Sequence, residues 1–477
     1  MRRWSLAVSL GFLLACEPGG APIPSSPAAT TPAIVETALP VAAPAASPTE
    51  SPALATGRAP AEAPDPETAS VEQAGGQPAR PNVLLITVDS VRADHVGTYG
   101  GPARTPTLDW LASQGVRFTN VYAQLPQTTP SHAAILTGQY ASTSGVRIAH
   151  HDALPDGKPT LARAMQDAGY QTGGIYSWAG PVDGFDQGFQ NYVNVATADA
   201  DGRADLTTDA AIAWLTKAAA ERDKPFFLWV HYRDPHYPYE PPAPFDTLYA
   251  PRCDGCVDGS LATLNRLHGG WRPTPAELAR ILAAYDGEIS YSDHEVGRLL
   301  TQLTALGLEP TTLVVVTSDH GDAFGEHGEW FHGLGVYQET IHVPLVARLP
   351  GALPAGVAFD GVVQLIDVMP TVLDVVGLPP APSAEGRSLV SALRSGGTTD
   401  GPAITEVSDG HYTAVVLGEW KLIRDNLSGQ RALYHLPSDP GEQRNRAASD
   451  PGPAARLTAV LDQWDATRAA GTLWRAP

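Results

Sequence analysis

The chain has 477 residues and a formal charge of −20, with 43% hydrophobic content. It is long enough to bury one large core or two smaller ones. The acidic balance argues against nucleic acid or polyphosphate as a partner and says nothing about fold.

Arg2 and Arg3 precede a short apolar run, Trp4 to Ala15, that is too short to span a bilayer. It ends Leu13-Leu14-Ala15-Cys16, which resembles a bacterial lipoprotein box. The expectation is a signal peptide over 1–15 and lipidation of Cys16, giving an exported protein anchored by lipid to the cell envelope. The other reading is an ordinary secretory signal with an incidental cysteine. Residues 16–80 are rich in Pro, Ala, Ser, Thr and Glu and nearly lack aromatics, so they cannot bury a core. They read as a disordered tether with an end-to-end distance of roughly 40–50 Å.

The pattern changes at Pro81. Asn82 to Val88 is a continuous apolar run ending at Asp89, which predicts a strand buried on both faces. Thr107 to Gly115 has helical spacing with a glycine stop, and Val116 to Tyr122 reads as a strand. Gln127 to Gly138 reads as a turn running straight into a helix, with Pro130 in the first turn and Thr129 as its cap. The Thr128 hydroxyl then lies just ahead of unpaired backbone N–H groups, where an anionic ester is favoured. Helices are expected over Thr160 to Gly169, Ala204 to Ala220 and Glu277 to Leu306, the last with a glycine interruption. Pro225 to His231 is a second buried strand, and it leads to His236 in a proline-rich loop. Leu313 to Ser318 is a third, ending in Asp319-His320-Gly321-Asp322. Strands alternating with helices predict a doubly wound α/β sheet, whose ligands bind at the strands' carboxyl ends. Cys253 and Cys256 are expected to pair locally in a loop; no second cysteine pair exists to complete a zinc site. From about residue 400, two hairpin strands around Gly418, the run Ala432 to Leu436 and a helix near 453–468 form a separate C-terminal unit.

These segments resemble the sulfatase family of the alkaline phosphatase superfamily. The family signature is Cys (or Ser)-x-Pro-x-Arg-x-x-x-Leu-Thr-Gly. Pro130, Leu136, Thr137 and Gly138 match it; Thr128 stands at the position of the residue oxidised to formylglycine, and His132 at that of the arginine. The resemblance spans about residues 81–450. It implies an α/β/α sandwich around a large, mostly parallel sheet, with a small C-terminal antiparallel sheet and helix. The expected domains are a catalytic domain over 81–400 and a C-terminal subdomain over 401–477. Asp89, Asp319 and His320 fall at metal-ligand positions, and Ser90 replaces a second aspartate there. His236 and His332 fall where the family contacts the ester, and Ile341 to Leu345 resembles its next strand.

The expected site therefore has Thr128, His132, His236 and His332 as catalytic residues. Asp89, Thr128, Asp319 and His320 would hold one divalent ion: Mn²⁺, Ca²⁺, Mg²⁺ or Zn²⁺. His320 in place of an amide favours Mn²⁺ or Zn²⁺ over Ca²⁺. His231 is a weaker candidate, and His327 is expected to be supporting. Threonine cannot become formylglycine, so no such cofactor is expected. Thr128 would attack as a hydroxyl activated by metal, which favours a phosphate or phosphonate ester over a sulfate ester. Two alternatives stand beside this: an inactive binding lipoprotein of the same fold, and a phospho-headgroup transferase.

Overall fold

A computed structural model describes residues 80–149, 151–177, 183–196, 202–221, 223–253 and 255–475. The signal segment, Cys16 and all of the tether except Arg80 lie outside the described residues. Among those described, no helix is long and apolar enough to cross a membrane.

The described residues form fourteen strands: β1 (Asn82–Val88), β2 (Val116–Tyr122), β3 (Gln171–Tyr176), β4 (Asn191–Asn194), β5 (Phe226–Tyr232), β6 (Thr312–Ser318), β7 (Ala323–Phe324), β8 (Trp330–Phe331), β9 (Leu345–Arg348), β10 (Val357–Gln364), β11 (Ala403–Glu406), β12 (Tyr412–Leu417), β13 (Trp420–Asp425) and β14 (Arg431–His435). Eight form one sheet in the order β10-β2-β9-β6-β1-β5-β3-β4. Every pairing in it is parallel except the two made by β9. β11 to β14 form a separate antiparallel sheet.

The three central strands, β1, β5 and β6, are buried along their whole length. Alternate side chains feed two cores, as the period of two requires. Val83, Leu85, Phe227, Trp229, Leu313 and Val315 enter one core, with the helices Leu161–Asp167 and Val368–Val375 and the helix α2 (Thr128–Thr137) on that side. Leu84, Ile86, Leu228, Val230, Val314 and Val316 enter the other, covered by α1 (Pro106–Gln114) and the helices Ala204–Ala218 and Pro275–Ala305. A third core joins the C-terminal sheet to the helix Pro451–Ala469 around Leu422, Leu433, Leu461 and Trp464.

Three local expectations change. The long helix runs unbroken from Pro275 to Ala305 through both of its internal glycines. These glycines allow close approach instead of a break: a Cβ at Gly287 would meet Phe245 O at 2.8 Å, and one at Gly297 would meet Thr107 Oγ1 at 2.7 Å. The run Ile341 to Leu345 is mostly not strand. Gln338–Ile341 makes one helical turn, and β9 starts only after Pro344, which has no N–H to offer a ladder. Finally, α2 begins at Thr128, not after a Thr129 cap. Ser131 N already bonds Gln127 O at 3.1 Å, which draws Thr128 and Thr129 into the first turn.

Cys253 and Cys256 are joined by a disulfide, with Cα atoms 5.5 Å apart.

Candidate active site

Register builds the centre of the site. Val88 of β1 pairs with Ser318 of β6 and with Tyr232 of β5, so the chain exits side by side at Asp89, Asp319 and Arg233. Neither Asp89, Asp319 nor His320 retains any exposed surface. Ser90 adopts a left-handed backbone, φ 61°, that a serine rarely holds. The strain has a visible use. Its N–H donates to Asp319 Oδ1 at 3.1 Å, and its hydroxyl donates to Asp89 Oδ1 at 2.8 Å. Tyr285 holds the turn by donating its hydroxyl to Ser90 O at 2.7 Å. Ser90, in place of a second acid, thus ties the two carboxylates together.

α2 brings Thr128 to this pair. The Thr128 hydroxyl lies 3.1 Å from His320 Nε2. His320 Nδ1 faces Gly321 O at 3.2 Å; a carbonyl only accepts, so Nδ1 carries the proton and Nε2 presents its lone pair. His320 Nε2 is also 3.6 Å from Asp89 Oδ1 and 3.7 Å from Asp319 Oδ2. Asp89, Asp319 and His320 thus lie together, with Thr128 against His320. One turn along α2, His132 Nε2 lies 3.9 Å from Asp319 Oδ2.

A second group lies beside the first. Asp322 Oδ1 faces His332 Nδ1 at 2.6 Å, and Tyr239 donates its hydroxyl to Asp322 Oδ2 at 2.8 Å. The His332 ring centroid is 4.2 Å from that of His320 and 5.4 Å from that of His236. His236 Nδ1 faces Tyr237 O at 2.8 Å, which fixes that nitrogen as the N–H. Both His332 and His236 therefore present Nε2. His327 lies apart, stacked on Tyr337 and 2.7 Å from Glu339, in a supporting position.

Sequence reasoning gave Asp322 no role and ranked His231 below His236. His231 Nε2 lies 3.8 Å from Asp89 Oδ2, and its ring is 4.2 Å from the His132 ring. The pairing Thr87↔His231 sets it there.

Burial and then Asp319 push the Asp89 carboxyl well above its ordinary range, and burial likewise raises Asp319. Burial pushes His320 down to about 3 and His231 to about 4. Burial, with neighbouring imidazoles, holds His132 and His236 well below the usual imidazole value. Two crowded carboxylates among neutral imidazoles leave a deficit of positive charge. Asp89 Oδ2 and Asp319 Oδ2 are also buried with no hydrogen-bond partner. A buried carboxylate oxygen without a partner is costly, and a cation supplies what both lack. Among the described residues, two sets of side chains have the spacing to hold one: Asp89, Asp319 and His320, and His320, Asp322 and His332.

A family model described as Sulfatase matches residues 81–378. The chain belongs to the sulfatase family. A second model, described as N-sulphoglucosamine sulphohydrolase, C-terminal, matches residues 325–461. An arylsulfatase of Clostridium perfringens is 28% identical over 455 residues, covering 78% of this chain and 91% of its own. A protein solved in complex with its substrate D-glucosamine-2-N,6-O-disulfate superposes with a TM-score of 0.69 at 22% identity, covering 83% of this chain and 99% of its own. A phosphonate monoester hydrolase of Silicibacter pomeroyi superposes with a TM-score of 0.66 at 24% identity, covering 83% and 96%. Both superpositions show the same fold, and the family match makes this chain a hydrolase of the sulfatase family. The family is metal-dependent, in keeping with the charge deficit above.

Proposed function

We propose that this hydrolase cleaves a phosphate or phosphonate monoester, with Thr128 as the nucleophile. One observation carries the reading: the Thr128 hydroxyl is 3.1 Å from His320 Nε2, at the start of α2 and beside two carboxylates that need a cation. Asp89, Thr128, Asp319 and His320 would hold the divalent ion, which would lower the hydroxyl's pKa and offset the ester's charge. Thr128 Oγ1 attacks phosphorus in line, forming a threonine ester as the bond to the leaving oxygen breaks. His332 Nε2 takes the proton that Thr128 Oγ1 loses and passes it to that oxygen, and the Asp322 carboxylate stabilises the ring while it holds the proton. A water then attacks the threonine ester. His236 is held neutral by burial with Nδ1 bonded to Tyr237 O, so its Nε2 lone pair takes the water's proton. His236 then returns that proton to Thr128 Oγ1 as the threonine ester bond breaks, so phosphate or phosphonate leaves and the Thr128 hydroxyl is restored.

Substrate class follows from the nucleophile. A threonine ester has no carbonyl to reform and must be broken by water, which suits a phosphoryl group. Nitrophenyl phosphate, phosphonate, phosphodiester and sulfate, each with added Mn²⁺, Zn²⁺ or Ca²⁺, test this. The phosphate or phosphonate should turn over fastest. Sulfate turnover above both would reject the phosphoester preference.

We further propose that lipid on Cys16 tethers the enzyme to a membrane, on the strength of Leu13-Leu14-Ala15-Cys16. Cys16→Ser should move the protein from the membrane to the soluble fraction. A wild type that already fractionates as soluble rejects the tether.

A further inference from the structure

We propose that His132 and His231 are additional ligands of the same divalent ion. This would make the centre a nitrogen-rich site that takes Zn²⁺ or a similar first-row ion in preference to Ca²⁺ or Mg²⁺. The inference rests on the reading that Asp89, Asp319 and His320 hold an ion, and goes beyond it in naming two more ligands and the selectivity they impose.

Three different elements bring these imidazoles up to the two carboxylates, His132 to Asp319, His231 to Asp89 and His320 to both. Thr128 and His132 are four residues apart on α2, so they share a face. His231 sits on β5 opposite Thr87 of β1, two residues before Asp89. His320 follows β6. The resulting separations are even: His231 Nε2 to Asp89 Oδ2 is 3.8 Å, and His132 Nε2 to Asp319 Oδ2 is 3.9 Å. His320 Nε2 lies 3.6 Å from Asp89 Oδ1 and 3.7 Å from Asp319 Oδ2. Donors bound to one ion at about 2.1 Å stand roughly 3–4 Å from one another. Both of the buried, partnerless carboxylate oxygens are thus approached from the other side by an imidazole Nε2.

The remaining atoms fit ligation better than packing. His132 Nε2 is buried and makes no hydrogen bond. A histidine kept only for packing would not leave that nitrogen facing a carboxylate at 3.9 Å, too far to bond and too near to ignore. His231 Nδ1 is hydrogen-bonded at 3.0 Å to Thr87 Oγ1, and Thr87 Oγ1 accepts from Trp229 Nε1 at 3.0 Å. His320 Nδ1 is held on Gly321 O. An anchor on one ring nitrogen, with the other facing the ion, is how ligating histidines are usually oriented. Trp229 packs edge-on against His132 at 5.2 Å, closing the site on that side. Three imidazoles and two carboxylates suit zinc and its neighbours, whereas Ca²⁺ and Mg²⁺ prefer oxygen throughout.

X-ray absorption at the zinc edge, on full-length protein loaded with Zn²⁺ alone, counts the imidazoles without any mutation. Three imidazoles are expected. Two or fewer, with zinc bound, overturn this inference but leave the Asp89–Asp319–His320 reading standing. Failure to bind any stoichiometric zinc overturns both. Variants add a second measurement: His132→Ala and His231→Ala should each weaken Zn²⁺ binding, in competition with a chromophoric chelator, by at least about tenfold. Unchanged Zn²⁺ affinity in a folded variant removes that residue from the site. A variant that fails to fold leaves the decision to the imidazole count.

Discussion

Two buried clusters of charged groups resolve the cost of burial in opposite ways. Under the C-terminal sheet, Lys421 Nζ and Glu442 Oε1 meet at 2.8 Å with no exposed surface on either side chain. Glu442 also accepts from Gln338 N at 2.7 Å, and Lys421 lies over the Tyr337 ring. That pair is balanced in charge, one cation against one anion, although Lys421 Nζ and Glu442 Oε1 have no hydrogen-bond partner. At the ends of β1 and β6, Asp89 and Asp319 are equally buried, yet the ion-pair partners they face are imidazoles that burial keeps neutral. Internally balanced charge reads as architecture. Unbalanced charge beside a helix start and a hydroxyl reads as a place for ligand and chemistry.

The largest expected effect lies in the unbalanced site. Thr128→Ala should lower kcat on the best substrate by at least about four orders of magnitude, because a nucleophile acts only in the transition state. Metal content should stay within about twofold, since Asp89, Asp319 and His320 remain. Thr128→Ser should keep part of the rate. A fully active Thr128→Ala enzyme would falsify the mechanism.

In the balanced pair the effect falls on stability. Lys421→Met removes one partner and leaves a buried carboxylate uncompensated, which costs about 3–5 kcal/mol. Replacing both, with Lys421→Met and Glu442→Gln, should recover much of that loss in denaturant unfolding. Equal losses in the single and double variants would show that shape, not charge balance, holds this region.

Part of this contrast was legible in the sequence. Continuous apolar runs ending in Asp89 and Asp319 announced buried strands with acids at their carboxyl ends, and both are there. The Thr128 stretch declared itself by its helix start and its resemblance. What the sequence hid was set by pairing. His231 joins the cluster because β5 lies beside β1 in a register that places Thr87 opposite it. Asp322 meets His332 because Ala323 pairs with Phe331 in the β7–β8 hairpin, so the next residues outward face each other. A one-residue change in either register would separate these partners, and no local pattern specifies it. The start of α2 shifted for a similar reason: a backbone bond from Ser131 to Gln127 outweighed a threonine's preference to cap.

A smaller effect of opposite sign sharpens the comparison. In chelated protein, Asp319→Asn should raise stability by about 1–3 kcal/mol, because it removes one of two repelling buried carboxylates. The same change should abolish tight metal binding. Loss of stability in the metal-free variant would mean that the carboxylates are already compensated within the chain.

The smallest effect separates two adjacent threonines. Thr128 and Thr129 both open α2 and are both buried, but their hydroxyls meet different surroundings. Thr128 Oγ1 faces His320, whereas Thr129 Oγ1 has no hydrogen-bond partner. A buried hydroxyl without a partner is a cost that an isosteric methyl removes. Thr129→Val should therefore stabilise the protein by up to about 1 kcal/mol, with turnover and metal content within about twofold of wild type. Valine keeps the β-branch, so the first helical turn is not otherwise disturbed. A rate loss beyond about tenfold at unchanged stability would place the Thr129 hydroxyl in contact with the reacting ester, and the boundary between functional and merely buried polar groups would move by one residue along α2.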